Sequence, residues 1–212
     1  VPRYEAGKIT GNAENIRHYI GEAYALRAIV YFSKVKELGD FPIITRILTD
    51  NKDTLVLASQ RKPRNEVVRF ILSDLDKAIE LLKKTPPNGE RTRISKDLAY
   101  LLKSRVALFE ATWLKYHKGT ALVPNGSGWP GAEKDYNKNY QFPAGSIDGE
   151  IDYLLGQAMS ASKAVADART LANNTKAIKQ SATDASNPYY EMFASEDLNN
   201  YDEVLLWRDF DL

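Results

Sequence analysis

The chain has 212 residues, of which 43% are apolar and 27% charged, enough to bury a core and too apolar for wholesale disorder. Its 29 Lys and Arg balance 28 Asp and Glu, which leaves no basic footprint for nucleic acid or anionic lipid. Cysteine is absent, so disulfides, thiol nucleophiles and thiolate metal sites are excluded.

Four stretches carry the period of a helix. The first runs from about Ala13 to Leu38, is rich in alanine, and stops at Gly39-Asp40. The second, near 63–84, opens on Pro63 and carries Val67, Val68, Ile71, Leu72, Leu75, Ala78, Ile79 and Leu82 on one stripe. The third, near 95–117, has Ser95 as N-cap and Leu98, Leu101, Leu102, Leu108, Phe109 and Trp113 on one face. The fourth, near 147–168, opens at Ser146 or Asp148 and buries Ile151, Leu154, Leu155, Ala158, Ala161 and Val165. Between them, Ile43-Ile44 and Leu55-Val56-Leu57 look extended, and 118–145 is a long loop punctuated by Gly, Pro and Asn. Loops of that length in compact domains tend to be functional. Near the end, Tyr189–Phe193 reads as a helical turn and Val204-Leu205-Leu206-Trp207 as a strand.

An internal repeat relates Ala23, Tyr24, Leu26 and Val30 to Ala99, Tyr100, Leu102 and Val106, 76 residues on. Two helices per period is the arrangement of a tetratricopeptide-like array. The expected fold class is therefore all-α: tetratricopeptide-like helical pairs with long loops and a few short strands.

Catalytic signatures are weak. His18 and His117 have no partner at i+4, so a helical zinc motif is absent; His18 reads as a surface residue and His117 as a cation at a helix end. Gly126-Ser127-Gly128-Trp129-Pro130-Gly131 fits the dinucleotide fingerprint only in spelling, because no strand precedes it and no clear helix follows. Asp135, Asn137 and Asn139 begin like an EF-hand, but Tyr140 and Ser146 stand where glycine and glutamate are required. Arg105 is read as a polar residue on the third apolar stripe, in need of a buried partner. No catalytic residue, metal site or cofactor is expected.

The remaining functional signal is aromatic. Sugar C–H faces stack on Trp and Tyr while amides take the hydroxyls. In the 118–145 loop this points to Trp129, Tyr136, Tyr140 and Asn137 as ligand-binding residues. The alternative is that Trp129 and one tyrosine fold the loop onto the helices as its own small core. Trp113 and Tyr116 continue the third stripe and read as core.

Gly21-Glu22-Ala23-Tyr24-Ala25-Leu26-Arg27-Ala28, then Tyr31-Phe32 and Gly39-Asp40-Phe41-Pro42, resemble the hallmark helix and exit turn of the SusD/RagB family of outer-membrane nutrient-binding lipoproteins. Asp74–Ile79, Arg93–Lys96 with Ser104–Leu108, Tyr153–Ala168 and Glu203–Trp207 are similar to later family segments in the same order. The resemblance implies a non-catalytic protein, lipid-anchored on the bacterial outer membrane. It would capture an oligosaccharide or peptide for a TonB-dependent transporter of the SusC type. It implies no nucleic-acid partner, and membrane contact only through an upstream anchor. The lipidated cysteine is missing, the chain begins with Val1, and family members are far longer. Residues 1–212 are therefore read as part of a single SusD-like domain, truncated at both ends. Two other classes stay open: a helical-repeat adaptor that binds protein without sugar, and a glycan-processing enzyme whose catalytic part lies elsewhere.

Overall fold

The computed structural model describes residues 2–209; Val1 and the last three residues lie outside it. In chain order the helices are α1 (Pro2–Glu5), α2 (Ala13–Leu38), α3 (Lys52–Ala58), α4 (Arg64–Leu81), α5 (Lys96–Tyr116), α6 (Ile147–Ala166) and α7 (Pro188–Ala194). Two short 3₁₀ turns, Pro130–Glu133 and Asp135–Asn137, sit in the loop before α6. The fold is all-helical: among the described residues the only β pairing is one antiparallel bridge, Phe41 with Lys62. No helix among them is long and apolar enough to cross a membrane.

Local chemistry sets the ends. Asn12, Ser95 and Ser146 each accept a backbone N–H three residues on, satisfying a donor that the first helical turn leaves free. Gly39 closes α2 at φ 69°, a left-handed conformation natural to glycine, and donates its N–H to the carbonyl of Val35.

The four long helices run antiparallel in succession. Gly21 meets Leu82 and Arg27 pairs with Asp74 between α2 and α4. Arg64 and Glu110, then Asp76 and Lys103, mark the two ends of α4 against α5. Lys118–Asp148 and Asp97–Arg169 do the same for α5 and α6. At Gly21 a Cβ would stand 2.9 Å from Leu82 Cγ, so a bare backbone is what lets α2 and α4 approach there. One core cluster gathers Val35, Val68, Ile71, Leu114 and Leu154 from all four helices; a second gathers Ala25, Ala78, Leu82, Ala99 and Val165.

The repeat acquires a physical meaning here. In α5, Ala99 and Val106 are buried, in clusters that include α2 and α4 residues. Their counterparts in α2, Ala23 and Val30, are exposed, as is Leu26. The same apolar positions thus face neighbours in one helix and open surface in the other.

Several expectations are corrected. Leu55-Val56-Leu57 lies in α3, which Asn51 caps by accepting from Thr54 N–H, and all three side chains are exposed. Ile43-Ile44 is irregular and is held by Tyr31, whose hydroxyl accepts from Ile44 N–H and donates to its carbonyl. Val204–Trp207 forms no strand. Its ties to Arg91 run through one backbone bond from Trp207 and through the Arg91 guanidinium on the carbonyls of Tyr201 and Val204, so no ladder develops. Arg105 is exposed and Leu108 is half-exposed; the buried charges on α5 are Asp97 and Glu110.

His18 is fully buried, not a surface residue. Its Nδ1 accepts from Lys83 N–H, which caps the end of α4, and its Nε2 faces Glu22 Oε1 at 3.4 Å. Burial pushes its pKa below the ordinary value near 6.5, opposed by Glu22. The unfolded chain therefore takes up a proton that the folded chain resists. Stability should fall as pH drops through and below the ordinary histidine value near 6.5, and His18→Gln should flatten that slope in urea-unfolding midpoints.

Candidate functional site

A cavity of about 530 Å³ lies where the end of α2, the α3–α4 connection, the start of α4, the end of α5 and the long loop converge. Lys36, Arg61, Arg64 and Lys134 bring positive charge to it, Trp113 and Tyr136 bring aromatic surface, and Asn137 and Ser59 bring polar groups.

The loop wall is held by a chain of partly buried polar contacts. Trp129 is only 4% exposed, and its Nε1 donates to Asp40 Oδ2 at 2.8 Å. Asp40 Oδ1 accepts the backbone N–H of Arg64 at 2.9 Å, so one carboxylate joins the α2 exit turn, the α4 start and the loop. Burial raises the Asp40 carboxyl above the usual carboxylate range, while its bonds from Trp129 and Arg64 pull it down. Trp129 folds back over Gly131, where a Cβ would lie 2.1 Å from the indole. Tyr140 donates to Asn65 Oδ1 at 2.7 Å and packs against Trp129 and Phe142; burial pushes its phenol pKa upward.

Two ion pairs lie behind this wall. The fully buried Glu110 accepts from Arg64 Nε and Nη2, and burial raises its carboxyl while Arg64 pulls it down. Arg64 also lies 4.3 Å from the Trp113 ring centroid, a cation–π contact. The fully buried Glu150 accepts from Arg69, from Asn65 Nδ2 and from the Ala144 N–H.

The four candidate residues divide accordingly. Trp129 and Tyr140 form the loop's own small core, with their polar atoms already used. Asn137 is 6% exposed and lines the cavity from below. Tyr136, 38% exposed, is the loop aromatic with free ring surface at the cavity. Trp113, read as core from its stripe, is half-buried and lines the same cavity, its Nε1 donating to the carbonyl of Leu122. Asp135, the first position of the EF-hand-like spacing, pairs with Lys138. Among the described residues no group of three or more His, Asp or Glu is placed to hold a metal.

Sequence reading missed Asp40, Arg64, Asn65, Glu110 and Glu150. Glu110 left a signal, a carboxylate between Ala107, Ala111 and Leu114 on an otherwise apolar stripe. Asp40 lay inside the exit turn already singled out.

Residues 7–108 match a SusD-like family described as starch-binding and associating with the outer membrane. A 61-residue stretch is 39% identical to a SusD-like protein of Formosa agariphila, covering 28% of this chain and 12% of that protein. A crystal structure of a SusD-like protein from Bacteroides fragilis aligns at 33% identity and a TM-score of 0.45, covering 54% of this chain and 22% of that one. The matched stretches thus span a minor part of each relative's length.

Proposed function

We propose that this chain, whose residues 7–108 match a SusD-like family, is part of a non-catalytic protein that binds glycan at the outer-membrane surface for a SusC-type TonB-dependent transporter. The cavity carries the reading: exposed aromatic surface from Tyr136 and the half-buried Trp113 stand beside Asn137, Ser59 and charged side chains, on a wall that partly buried contacts hold in place. Aromatic faces take the apolar faces of a sugar, and the amide, hydroxyl and charged groups take its hydroxyls. The matched family's association with starch and the outer membrane supports the same direction. An adaptor that binds only protein would need no such mixed cavity; under that reading the loop aromatics would all be consumed in packing, as Trp129 and Tyr140 are.

Isothermal titration against a panel of oligosaccharides tests it. Tyr136→Ala should weaken the bound glycan by about fivefold to tenfold, on the order of 1 kcal/mol. Tyr116→Ala, a highly exposed tyrosine away from the cavity lining, should leave affinity unchanged. Equal affinity in both variants would remove the cavity from the account.

A further inference from the structure

We propose that the oligosaccharide taken by this cavity is anionic, carrying carboxylate or sulfate-ester groups. The proposal rests on the glycan reading above and adds the chemical class of the ligand.

The whole chain is close to neutral, with a formal net charge of +1, so a local excess of one sign is a property of this place. Four cationic side chains line the cavity, Lys36, Arg61, Arg64 and Lys134, against two carboxylates, Glu37 and Asp40. Both carboxylates are engaged. Glu37 pairs with Lys34 at 3.1 Å, and Asp40 holds the Trp129 indole and the Arg64 backbone. Arg64 is matched by Glu110 behind it.

Lys36, Arg61 and Lys134 are different. All three are exposed, and none has a carboxylate within ion-pair distance among the described residues. Lys36 Nζ lies 4.9 Å from the Phe32 ring centroid, a cation–π contact that leaves its charge unneutralised. Three long cationic side chains, from α2, the α3–α4 connection and the loop, thus line one cavity without a carboxylate partner, together with Tyr136 and Trp113. A neutral sugar takes hydrogen bonds from such cations but leaves their charge unbalanced. A uronate or sulfate ester takes the same bonds and also supplies the counter-charge, while its ring stacks on the exposed Tyr136.

The test titrates the 212-residue chain with three oligosaccharides of similar length: hexagalacturonate, a sulfated galactan oligosaccharide and maltohexaose. Inorganic sulfate is titrated separately. At least one anionic sugar should bind about tenfold tighter than maltohexaose, and the advantage should shrink as salt rises, because exposed charges are screened. Arg61→Gln with Lys134→Gln should remove most of that advantage. Both positions are exposed, so folding should be retained, which circular dichroism checks.

Maltohexaose binding as tightly as both anionic sugars would overturn the charge class and leave the glycan reading standing. So would an advantage that survives the double variant. Sulfate alone binding as tightly as the sulfated sugar would reduce the place to an anion site and overturn the saccharide class. Absence of binding to all three sugars would overturn both readings together.

Discussion

Glu110→Ala is expected to destabilise the fold by about 3–5 kcal/mol, read as a large drop in the urea midpoint with an unchanged slope. Glu110 is 0% exposed and Arg64 is 3% exposed. Three close contacts, 2.8–3.1 Å, join the guanidinium to the carboxylate. Removing the carboxylate leaves a buried cation with the Trp113 face and the already engaged Asp40 carboxylate beside it, and a cation–π contact is worth about 0.5–2 kcal/mol. That falls short of what the charge loses. Replacing both partners separates the worth of the pair from the cost of orphaning one member. Arg64→Met with Glu110→Leu should recover most of the stability, since an apolar pair of similar volume avoids desolvating two ions.

Glu150→Ala should cost less, about 2–4 kcal/mol, yet reach further into the candidate site. Its carboxylate takes Arg69 Nε at 2.7 Å and Nη2 at 2.8 Å, Asn65 Nδ2 at 3.2 Å and the Ala144 N–H at 3.3 Å. The Arg69 side chain is 27% exposed and can rehydrate, which limits the loss. The fully buried Asn65 cannot, whereas the N–H of the exposed Ala144 can turn to water. Asn65 holds Tyr140, and Ala144 is the loop's last residue but one. Amide hydrogen exchange should therefore show faster opening across 118–145 while α4 and α5 stay protected. In Glu110→Ala the loss of protection should spread through the helices together. A Glu150→Ala protein with uniform exchange would show that this carboxylate supports the bundle and has no special hold on the loop.

The four long helices were legible because each carries enough buried apolar positions to set a 3.6-residue period, and Ser95 and Ser146 announce their starts. α3 was not, because a run of Leu-Val-Leu with no buried side chain gives the period nothing to act on. The tail misled for a related reason: Val204–Trp207 has strand composition, but its partners are the Arg91 guanidinium and the Asn199 side chain, which composition cannot foretell. His18 was read on the polar flank of the first helix; its buried contact is with the backbone N–H of Lys83, 65 positions away, which only the packing of α2 on α4 supplies.

At the site, the loop was visible as a loop and its aromatics as candidates. Which of them were already spent was not. Trp129 reaches Asp40 across 89 positions, Tyr140 reaches Asn65 across 75, and Glu150 reaches Arg69 across 81. Each pairing is a product of helix packing, so it becomes readable only once the antiparallel order is known. The same holds for Trp113, whose helical stripe turns from core to cavity at the end of α5.

Asp40 has a kinetic meaning beyond its bonds. Because one partly buried carboxylate fastens the indole and the first turn of α4 together, those two walls of the cavity are linked. A glycan of the proposed kind would meet a shape already set, and little ordering of the protein would be charged against its arrival. Entry should then be governed by diffusion and the field of the exposed cations, while differences among ligands are written in how slowly they leave.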